Sequence, residues 1–597
     1  MFILGISCYY HDSAAVLIKD GELIAAAEEE RFSRKKHDSG FPENAIRFVL
    51  ECGKIKPADL DYVVFYEKPF LKFERILKTT LSNFPKSSSA FRESMITWLL
   101  DKLWIKEKIR KKLQIDDRKI LFSEHHLSHA ASSYYCSPFD EATIVTLDGV
   151  GEWATASIGI GKNNKIKILK EIYFPHSLGL LYSAFTAFLG FEINDGEYKV
   201  MGMAPYGKPR YVDKVKKLIK LYSDGSFELN MDYFEFHRST KNTYNKKFIE
   251  IFGKPRNPET KFFTSTTPYP SYFGEKPSNY EEMCKENQYY ADIASSIQSV
   301  LEEAIINLVN AAYRETGIEK LCLGGGVSLN SVANYKILQN TPFKQIYIQP
   351  AATDAGGALG AALYAYNQFS NNSKKFILEH AFWGKNYSNS EIRKFLDTNN
   401  ISYRYEENDE KIIEIVVDAL SKGKVVGWFQ GRFEWGPRAL GNRSILADAR
   451  RQDMKDIVNT KIKFREPYRP FAPSVLIEKT EEYFDIKEPE KHYPTRFMLY
   501  VVDVKGNKQN IIPAVTHVDG SGRLQTVSKE TNPRYYELIK KFEEATGVPV
   551  ILNTSFNLKG EPIVNSPEDA FKTFSKSEMD MLVLENFILE KNHSDKL

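Results

Sequence analysis

The sequence predicts a mixed α/β protein of two domains, in which the first domain contains one strand motif twice. Its 597 residues exceed what one hydrophobic core usually supports. The motif is a strand and a turn followed by two further strands. It is expected first from Phe2, around the hairpin turn Asp20-Gly21, and again from Thr143 to Ile172. Two copies about 140 residues apart predict two α/β halves whose strand ends face a common cleft.

Further elements follow the second copy. A helix is expected over residues 287–316, where apolar side chains recur at helical spacing, and a short buried strand over 320–323. A small, apolar helix is expected over 356–366. The polar stretch 367–375, NQFSNNSKK, is typical of a linker.

The linker separates a first domain over residues 1–370 from a second domain over residues 376–597. Within the first domain, residues 222–287 are polar, aromatic and irregular in pattern, which indicates an insertion.

Composition excludes several classes of protein. Its 42% apolar and 27% charged residues are typical of a globular chain, and a formal net charge of +3 does not favour nucleic acid or a membrane surface as a partner. The five cysteines form no CxxC pair, residues 1–12 lack the features of a signal peptide, and no apolar run reaches the ~18 residues of a membrane span. We therefore expect a soluble, cytoplasmic protein.

Positive charge concentrates in one segment of the second domain. Residues 424–474 contain 11 Lys or Arg and 5 Asp or Glu, so the remainder of the chain is slightly acidic. This distribution predicts a small anionic partner held at one site.

Two histidines and two aspartates form a candidate metal site. His125 and His129 are four residues apart in SEHHLSHAASSYY and would project from one face of a helix. Asp148 ends an apolar strand and Asp354 begins a helix, and both positions would face the predicted cleft. Two imidazoles with two carboxylates suit Fe(II), Mn(II) or Zn(II). The alternatives are a helix with core or solvated histidines, and a capping role for Asp354.

The run Gly324-Gly325-Gly326 lies between a predicted strand and a predicted helix. Glycines let backbone N–H groups approach a phosphate, and the N-terminus of a helix adds partial positive charge. The alternative for this run is an ordinary turn.

The motifs WGPRALGNRSILAD and KIKFREPYRPFAP contain the basic residues of the second domain. These are Arg438, Arg443, Lys461, Lys463, Arg465 and Arg469. Arginines at proline-flanked spacing suit bidentate binding of phosphate. Because apolar and aromatic side chains alternate with them, we expect a pocket floor rather than a solvated face. Further along, ILNTSFNLKGEPIV ends a strand with Asn553, Ser555 and Asn557, which can hold a carbamoyl or phosphate oxygen or form a turn.

Taken in order, these motifs resemble the NodU/CmcH-type O-carbamoyltransferases. The matching stretches are ILGISCYYHDSAAVLIKDGELIAAAEEERFSRKKHDSGFP, HHLSHA, DGVGE, EYKVMGMAPYG, GGGVSLN, TDAGGALG, GPRALGNRSILAD, KFREPYRPFAP, RLQTV and TGVPVILNTSFNLKGEPIV. They cover almost all of residues 1–585 apart from the insertion and the linker. The resemblance implies a duplicated actin/hexokinase-like (ASKHA) first domain, similar to the tRNA threonylcarbamoyl transferase, and a YrdC-like second domain.

The resemblance also implies a reaction. In this family, carbamoyl phosphate and ATP (with Mg) give carbamoyl-AMP in the YrdC-like domain, and a hydroxyl of a small-molecule acceptor then takes the carbamoyl group in the first domain. The implied metal is divalent, with Fe(II) expected and Mn(II) or Zn(II) as alternatives. Natural-product or saccharide biosynthesis is the implied setting.

Site residues follow from the same resemblance. The metal ligands fall on His125, His129, Asp148 and Asp354. The carbamoyl phosphate and adenylate contacts fall on Arg443, Lys463 and Arg469, which are expected to be catalytic, and on Arg438, Arg523, Asn553 and Ser555. The nucleotide contacts of the first domain fall near Lys199, Gly325, Gly326 and Asn330.

The acceptor hydroxyl needs a proton acceptor. His11, or Asp12 beside it, is our hypothesis for the general base, because the turn HDSA ends the first strand facing the same cleft. The alternative is that His11 only orients a phosphate or the local structure.

Other functions stay open at this point. They are a threonylcarbamoyladenosine-type tRNA-modifying enzyme, a switch ATPase of the actin or chaperone kind, and a sugar kinase. Weak overall charge and no basic stripe in the first domain argue against tRNA. The expected partner is a small hydroxylated molecule, with neither nucleic acid nor membrane, and the protein is expected to be a monomer or homodimer.

Overall fold

The computed structural model describes residues 1–100, 102–267, 269, 273–370 and 375–591. The chain forms two compact units. The first comprises Met1–Glu29, Asp38–Thr267 and Asn279–Leu378, and the second comprises Glu30–His37, Pro268–Ser278 and Glu379–Leu597. Residues 371–374 of the predicted linker lie outside the described residues.

The elements are numbered in chain order. The described strands are β1 (Phe2–Ser7), β2 (Ala14–Lys19), β3 (Glu22–Glu28), β4 (Tyr62–Phe65), β5 (Ile120–Phe122), β6 (Glu141–Leu147), β7 (Ala154–Lys162), β8 (Lys165–Tyr173), β9 (Ile219–Leu221), β10 (Phe227–Leu229), β11 (Lys320–Gly324), β12 (Gln345–Ile348), β13 (Arg404–Tyr405), β14 (Val426–Phe429), β15 (Arg443–Asp448), β16 (Ala472–Leu476), β17 (Tyr500–Asp503), β18 (Ser521–Val527), β19 (Val550–Ser555), β20 (Met581–Leu584) and β21 (Phe587–Glu590).

The described α-helices are α1 (Glu30–Ser33), α2 (Glu43–Gly53), α3 (Pro69–Ser82), α4 (Ser88–Leu100), α5 (Ile105–Leu113), α6 (His125–Tyr134), α7 (Leu178–Phe188), α8 (Glu197–Met203), α9 (Val212–Val215), α10 (Lys246–Phe252), α11 (Tyr280–Thr316), α12 (Ser331–Asn340), α13 (Asp354–Phe369), α14 (Asn389–Thr398), α15 (Asp409–Ser421), α16 (Met454–Ile457), α17 (Thr480–Tyr483), α18 (Tyr493–Arg496), α19 (Pro533–Thr546) and α20 (Pro567–Lys576).

The first unit contains two five-stranded sheets of the same topology. Their strand orders are β3-β2-β1-β4-β5 and β12-β11-β6-β7-β8. In each sheet the first three strands are an antiparallel meander, and two later strands add in parallel to the opposite edge. The predicted repeat of a strand motif is therefore confirmed, and the fold is mixed α/β.

The residues of one hairpin turn explain how the first meander forms. Asp20 and Gly21, which join β2 to β3, have φ angles of 51° and 84°, as the two central residues of a type I′ hairpin turn require. Strand β2 lies at the centre of its meander and pairs with a strand on each edge, and five of its six residues are buried.

Helix α11 begins at Tyr280, seven residues before the predicted start. Its first two turns are YEEMCKEN, whose charged residues hide the apolar periodicity. The preceding segment, predicted to be irregular, also contains β10 and α10. Phe248 and Phe252 of α10 pack on Phe185 and Phe188 of α7, which explains the aromatic composition of this region.

Helix α13 packs against α6 and β1 and brings their residues close together. The approach depends on Gly360, because a Cβ atom there would lie 1.8 Å from the backbone oxygen of Ser128 in α6. The apolar, small-residue composition that predicted this helix thus serves a close helix–helix contact.

The second unit contains a nine-stranded mixed sheet of order β13-β21-β20-β14-β15-β19-β16-β18-β17. Helices α15 and α19 contribute to its core, where Trp428, Tyr535 and Phe542 are fully buried. The short segment Glu30–His37 packs in this unit, and the buried Arg31 donates to the backbone oxygen of Gly436 at 2.7 Å.

Across the described part of the chain, no helix combines the length and the apolar composition that crossing a bilayer requires.

Candidate active site

Strand ends position the four predicted metal ligands in the first unit. His125 and His129 lie on one face of α6, which follows β5. Asp148 follows β6 directly, and Asp354 is the first residue of α13, after β12. The N-cap of α13 is Thr353, so capping does not account for Asp354.

The structure brings these four side chains together. One ligand atom from each lies within 4.8 Å of the others. His125 Nε2 is 3.1 Å from Asp148 Oδ2, and Asp354 Oδ1 is 3.6 Å from Nε2 of both His125 and His129. Both imidazoles and the Asp354 side chain are at most 1% exposed.

The donor set fits a divalent cation. The Nε2 atoms of His125 and His129 are 3.1 Å apart, and two such lone pairs repel unless a proton or a cation lies between them. Asp354 Oδ1 is buried and accepts no hydrogen bond from the described residues. A bound Fe(II), Mn(II) or Zn(II) would accept the lone pairs of both imidazoles and would also give the buried Asp354 oxygen a partner.

Neighbouring groups orient the ligands. The Tyr66 hydroxyl donates to Asp354 Oδ2 at 3.1 Å, and the backbone N–H of Gly326 donates to Asp148 Oδ1 at 2.9 Å. Glu67 Oε2 lies 3.8 Å from His125 Nδ1 and pairs with Lys72 Nζ at 2.5 Å. Such outer contacts hold metal-binding side chains in place.

Electrostatics at the cluster are strong because the charges are buried. Burial raises the pKa of the Asp148 carboxyl, but the hydrogen bond from His125 and the charges of the histidines lower it well below its usual range. Burial lowers the pKa of His125, yet Asp354, Asp148 and Glu67 raise it well above 6.5. For Glu67, Lys72 and His125 outweigh burial and hold the pKa at about 2.

The third histidine of the motif, His126, does not join the cluster. Its Nδ1 is 2.6 Å from the Thr146 hydroxyl, and burial followed by the charges of His125 and His129 lowers its pKa to about 3. His126 is therefore a neutral core residue.

The proposed base lies within electrostatic range of the cluster. His11 Nδ1 is 3.1 Å from Asp12 Oδ2. Burial lowers the pKa of His11, but Asp12 first, and then Asp354 and Asp148, raise it to about 9. His11 is thus protonated at neutral pH when no cation offsets the negative charges of Asp148 and Asp354.

The predicted nucleotide residues of the first unit separate into two groups. Gly325, at a φ of 90°, leaves no room for a side chain, because a Cβ atom would lie 2.2 Å from the Leu147 backbone oxygen. The adjacent Gly326 contacts Asp148, as described above. Asn330 caps α12 and exchanges two 3.0 Å hydrogen bonds with Gln298. Lys199 lies on α8, with Nζ 5.8 Å from the centre of the Phe191 ring.

In the second unit Arg443 is fully buried. Its guanidinium donates to the backbone oxygens of Gln430 (2.7 Å), Asn442 (2.9 Å), Gly431 (3.1 Å) and Lys385 (3.3 Å) and lies 3.5 Å from the centre of the Phe429 ring. Burial lowers its pKa to about 10. These contacts hold neighbouring loops together.

Lys463, Ser555 and Asn557 lie together in the second unit. Lys463 Nζ donates to the Ser555 backbone oxygen at 2.6 Å and to Asn557 Oδ1 at 2.5 Å, and it lies 3.2 Å from Ser555 Oγ. Asn553 instead donates to Gln525 Oε1 at 2.8 Å and to the Ala439 oxygen at 3.2 Å.

Positive charges crowd together in this unit. Burial, and then Arg438, Arg465 and Arg469, lower the pKa of Arg523 well below its usual range. The pKa of Lys463 is likewise lowered by burial and then by Arg465 and Arg469. Arg469 is 3.5 Å from Glu466, and Glu561 acts on Lys463, but these carboxylates do not offset the cations. Such crowding is relieved by an anion, and phosphate is the anion that arginine clusters bind best.

Sequence reasoning missed several residues of these sites. Tyr66 and Glu67 directly follow β4 in VVFYEK, and polar residues directly after an apolar strand are the signal that could have found them. Glu434 was also missed. Its buried Oε1 accepts from the backbone N–H groups of Leu440 and Asn442 at 2.8 Å, and so shapes the loop that begins β15.

Comparison with known proteins gives two family-model matches. The model described as Carbamoyltransferase N-terminus matches residues 2–363, and the model described as Carbamoyltransferase C-terminus matches residues 417–591. An uncharacterised protein of Synechocystis is 47% identical over 99% of this chain and 96% of its own length. Nodulation protein NolNO of Sinorhizobium fredii is 36% identical over 98% of this chain and 79% of its own. The 3'-hydroxymethylcephem-O-carbamoyltransferase of Streptomyces clavuligerus is 35% identical over 44% of this chain and 47% of its own.

Proposed function

Because the chain belongs to the NodU/CmcH-type carbamoyltransferase family, we propose that it is an O-carbamoyltransferase acting on a hydroxyl of a small-molecule acceptor. The observation that carries the proposal is the buried cluster of His125, His129, Asp148 and Asp354, a metal centre suited to acyl-group transfer. The relative from Streptomyces clavuligerus, named as an O-carbamoyltransferase, supports oxygen as the accepting atom.

We assign an actin/hexokinase-like fold to the first unit and a YrdC-like fold to the second. Support for the first assignment comes from the duplicated sheets, whose strand ends carry the ligands. Support for the second comes from a mixed sheet bearing a crowded cationic cluster, as a nucleotide- and phosphate-binding domain requires.

In the proposed activating step, water converts carbamoyl phosphate to carbamate and phosphate. A carbamate oxygen then attacks the α-phosphorus of ATP, which releases pyrophosphate and leaves carbamoyl-AMP. Lys463, Arg469 and Arg523, with Arg438 beside them, would neutralise the phosphate oxygens. Fixed donors of this kind contribute about 3 kcal/mol each to stabilising developing charge.

In the proposed transfer step, the acceptor oxygen forms a bond to the carbamoyl carbon, the bond to AMP breaks, and the hydroxyl proton passes to a base. A divalent cation held by His125, His129, Asp148 and Asp354 would polarise the reacting oxygens. Tyr66 and Glu67 would keep the ligands in place for it.

His11, paired with Asp12, is our proposed base. A cation at the cluster would offset the negative charges of Asp148 and Asp354 that raise the pKa of His11, and so favour the neutral imidazole that a base must be. The alternative, in which His11 stays protonated and orients a phosphate, predicts no change in the pH profile when His11 is replaced. An unchanged transfer rate and pH profile in His11→Ala, with loss of both in Asp148→Ala, would remove His11 from the base role.

The first experiment is mass spectrometry of the purified protein with Fe(II), ATP, Mg and carbamoyl phosphate, before any acceptor is added. Carbamoyl-AMP is the expected product, and it should disappear in Lys463→Ala. If only ADP forms, the protein is a kinase or a switch ATPase and the proposal fails. A cytoplasmic location, Fe(II) as the native ion and a monomer or homodimer are the matching expectations.

A further inference from the structure

Helix α3 of the first unit has its polarity reversed relative to an ordinary surface helix. Its buried side chains include Lys72 and Arg75, whereas Phe70 is 72% exposed and Leu81 is 57% exposed. A helix that faces water normally buries its apolar stripe and exposes its charges. Phe70 and Leu81 are eleven residues apart, which is three helical turns, so they share one face.

The exposed apolar surface continues from α3 into α4 and the turn after it. Phe84 follows α3 at 68% exposed, and Ile96, Leu99 and Trp104 are 55%, 51% and 59% exposed. Seven of the fifteen large apolar side chains exposed among the described residues fall within residues 69–112. Apolar exposure concentrated in one segment to this degree marks a surface that something covers.

The two helices pack by their inner sides. Phe73 of α3 contacts Trp98 of α4 with ring centres 6.1 Å apart, and the Trp104 indole N–H donates to the Leu99 oxygen at 2.8 Å. The hairpin is therefore held together beneath the apolar side chains that it exposes.

The same segment is strongly basic. Residues 69–112 contain 11 Lys or Arg and 4 Asp or Glu, in a chain of net charge +3. Two of these cations, Lys72 and Arg75, are buried. Lys78, Lys106 and Lys111 have side chains that are 63%, 47% and 71% exposed, and they pair with Glu74, Asp117 and Glu107. The expectation that the first domain has no basic stripe is therefore wrong, because residues 69–112 form a second basic segment besides residues 424–474.

We propose that the hairpin of α3 and α4, with the start of α5, docks on an anionic lipid bilayer. Exposed Phe, Leu and Trp side chains among lysines are the composition of helices that lie in the membrane interface, where the rings enter the acyl boundary and the lysines contact lipid phosphates. Nucleic acid would match the charge, and Phe70, Phe84 and Trp104 offer rings for stacking, but the aliphatic side chains exposed beside them (Leu71, Leu81, Ile96 and Leu99) suit an acyl boundary and not bases.

The buried face of α3 links this surface to the candidate metal centre. Lys72 pairs with Glu67 at 2.5 Å, and Glu67 lies 3.8 Å from His125 Nδ1. Docking would thus place a membrane surface one helix away from the ligands, where an acceptor carried on a lipid or acyl chain would be presented. This last step rests on the proposed function, whereas lipid binding itself does not.

The experiment is flotation of the full-length protein with vesicles of phosphatidylcholine alone or with about 30% phosphatidylglycerol, at about 0.1 M and about 0.5 M NaCl. We expect binding to the anionic vesicles that weakens at the higher salt. Phe70→Ser/Phe84→Ser/Trp104→Ser should lower the partition coefficient about tenfold or more. The matched control, Tyr405→Ser/Ile511→Ser/Val518→Ser, removes exposed apolar side chains of the second unit and should bind as the wild type does.

Both triple variants replace exposed side chains, and thermal unfolding checks that each is folded. A second set, Lys106→Glu/Lys111→Glu, should abolish the preference for anionic vesicles without removing an apolar side chain. The proposal is overturned if the wild type does not float with anionic vesicles, or if the hairpin variant floats as well as the control. It is also overturned if the hairpin instead mediates a dimer that the variant dissociates without vesicles, or binds RNA more tightly than lipid. Flotation needs no substrate, so its failure leaves the proposed transfer reaction standing.

Discussion

The two candidate sites differ in how their charges are balanced. In the first unit, His125 and His129 are interleaved with Asp148 and Asp354, and each carboxylate lies within 4 Å of an imidazole. In the second unit, Arg523 and Lys463 are surrounded mainly by other cations, which lower the pKa of both. A cluster of alternating donors selects a cation, and a cluster of like positive charges selects an anion.

The contrast lies in the neighbours of each buried charge and not in residue type. Arg443 and Arg523 are both buried arginines from matched motifs. Arg443 already donates to four backbone oxygens, whereas the surroundings of Arg523 are cationic. Only the second arrangement gains from a bound phosphate.

The largest effect is expected at the metal ligands. Asp354→Asn keeps the shape of the side chain but removes a carboxylate whose Oδ1 accepts no hydrogen bond in the described structure. Metal affinity should fall by more than about 100-fold, since loss of an outer contact alone costs about 10- to 100-fold. Titration calorimetry with Fe(II) or Mn(II), with metal content by mass spectrometry, measures it.

The control for that change is Asp140→Asn, which removes a carboxylate that is 90% exposed in the same unit. It should bind metal as the wild type does. Full metal occupancy in Asp354→Asn would contradict the four-ligand site.

The second prediction compares the rates of carbamoyl-AMP formation after replacing each of two nearby lysines of the second unit. Lys463→Ala should reduce carbamoyl-AMP formation about 100- to 1,000-fold, because it removes a buried cation from the expected phosphate site. Lys461→Ala removes an exposed lysine two residues away and should leave the rate unchanged. Equal rates for the two variants would show that the crowded cations do not bind the phosphate.

The third prediction concerns the contribution of Arg443 to the free energy of unfolding. Arg443→Lys loses most of four hydrogen bonds to backbone oxygens, so the free energy of unfolding should fall by about 2–5 kcal/mol. Urea denaturation measures it, with Arg451→Lys, at a surface ion pair, as the control. A variant of native stability that has lost adenylation would instead assign Arg443 to the substrate.

The smallest effect concerns the pH dependence of stability at His11. Its pKa of about 9 lies above the 6.5 of a free imidazole, so its stabilising contribution is complete below pH 6.5 and is lost as the pH rises through 9. The metal-free protein should lose about 1–2 kcal/mol over that interval, less than the full shift implies because the side chain is 22% exposed. His11→Gln should remove this dependence in urea denaturation series at several pH values. An unchanged slope in that variant would assign the dependence to another group.

Patterns of a few residues predicted much of this molecule. The strand motif from Phe2 and its repeat from Thr143 were readable because hairpin turns and short apolar runs are local properties. The proximity of His125, His129, Asp148 and Asp354 was also readable, since a four-residue histidine spacing and polar residues at strand ends indicate convergence, and their role as ligands stays a prediction. The early start of α11 and the basic hairpin after β4 were missed, because charged residues mask helical periodicity and opposite charges elsewhere cancel in a count.

The sequence by itself therefore determined the mixed α/β class, the repeat, and which residue types could bind a metal or a phosphate. Only the tertiary structure decided which of these residues contact backbone oxygens and which contact other cations. Arg443 binds backbone oxygens at residues 385, 430, 431 and 442, while Arg523 meets Arg438, Arg465 and Arg469. The physical reason is that a buried charge is defined by its neighbours within a few ångströms, and those neighbours come from distant parts of the chain.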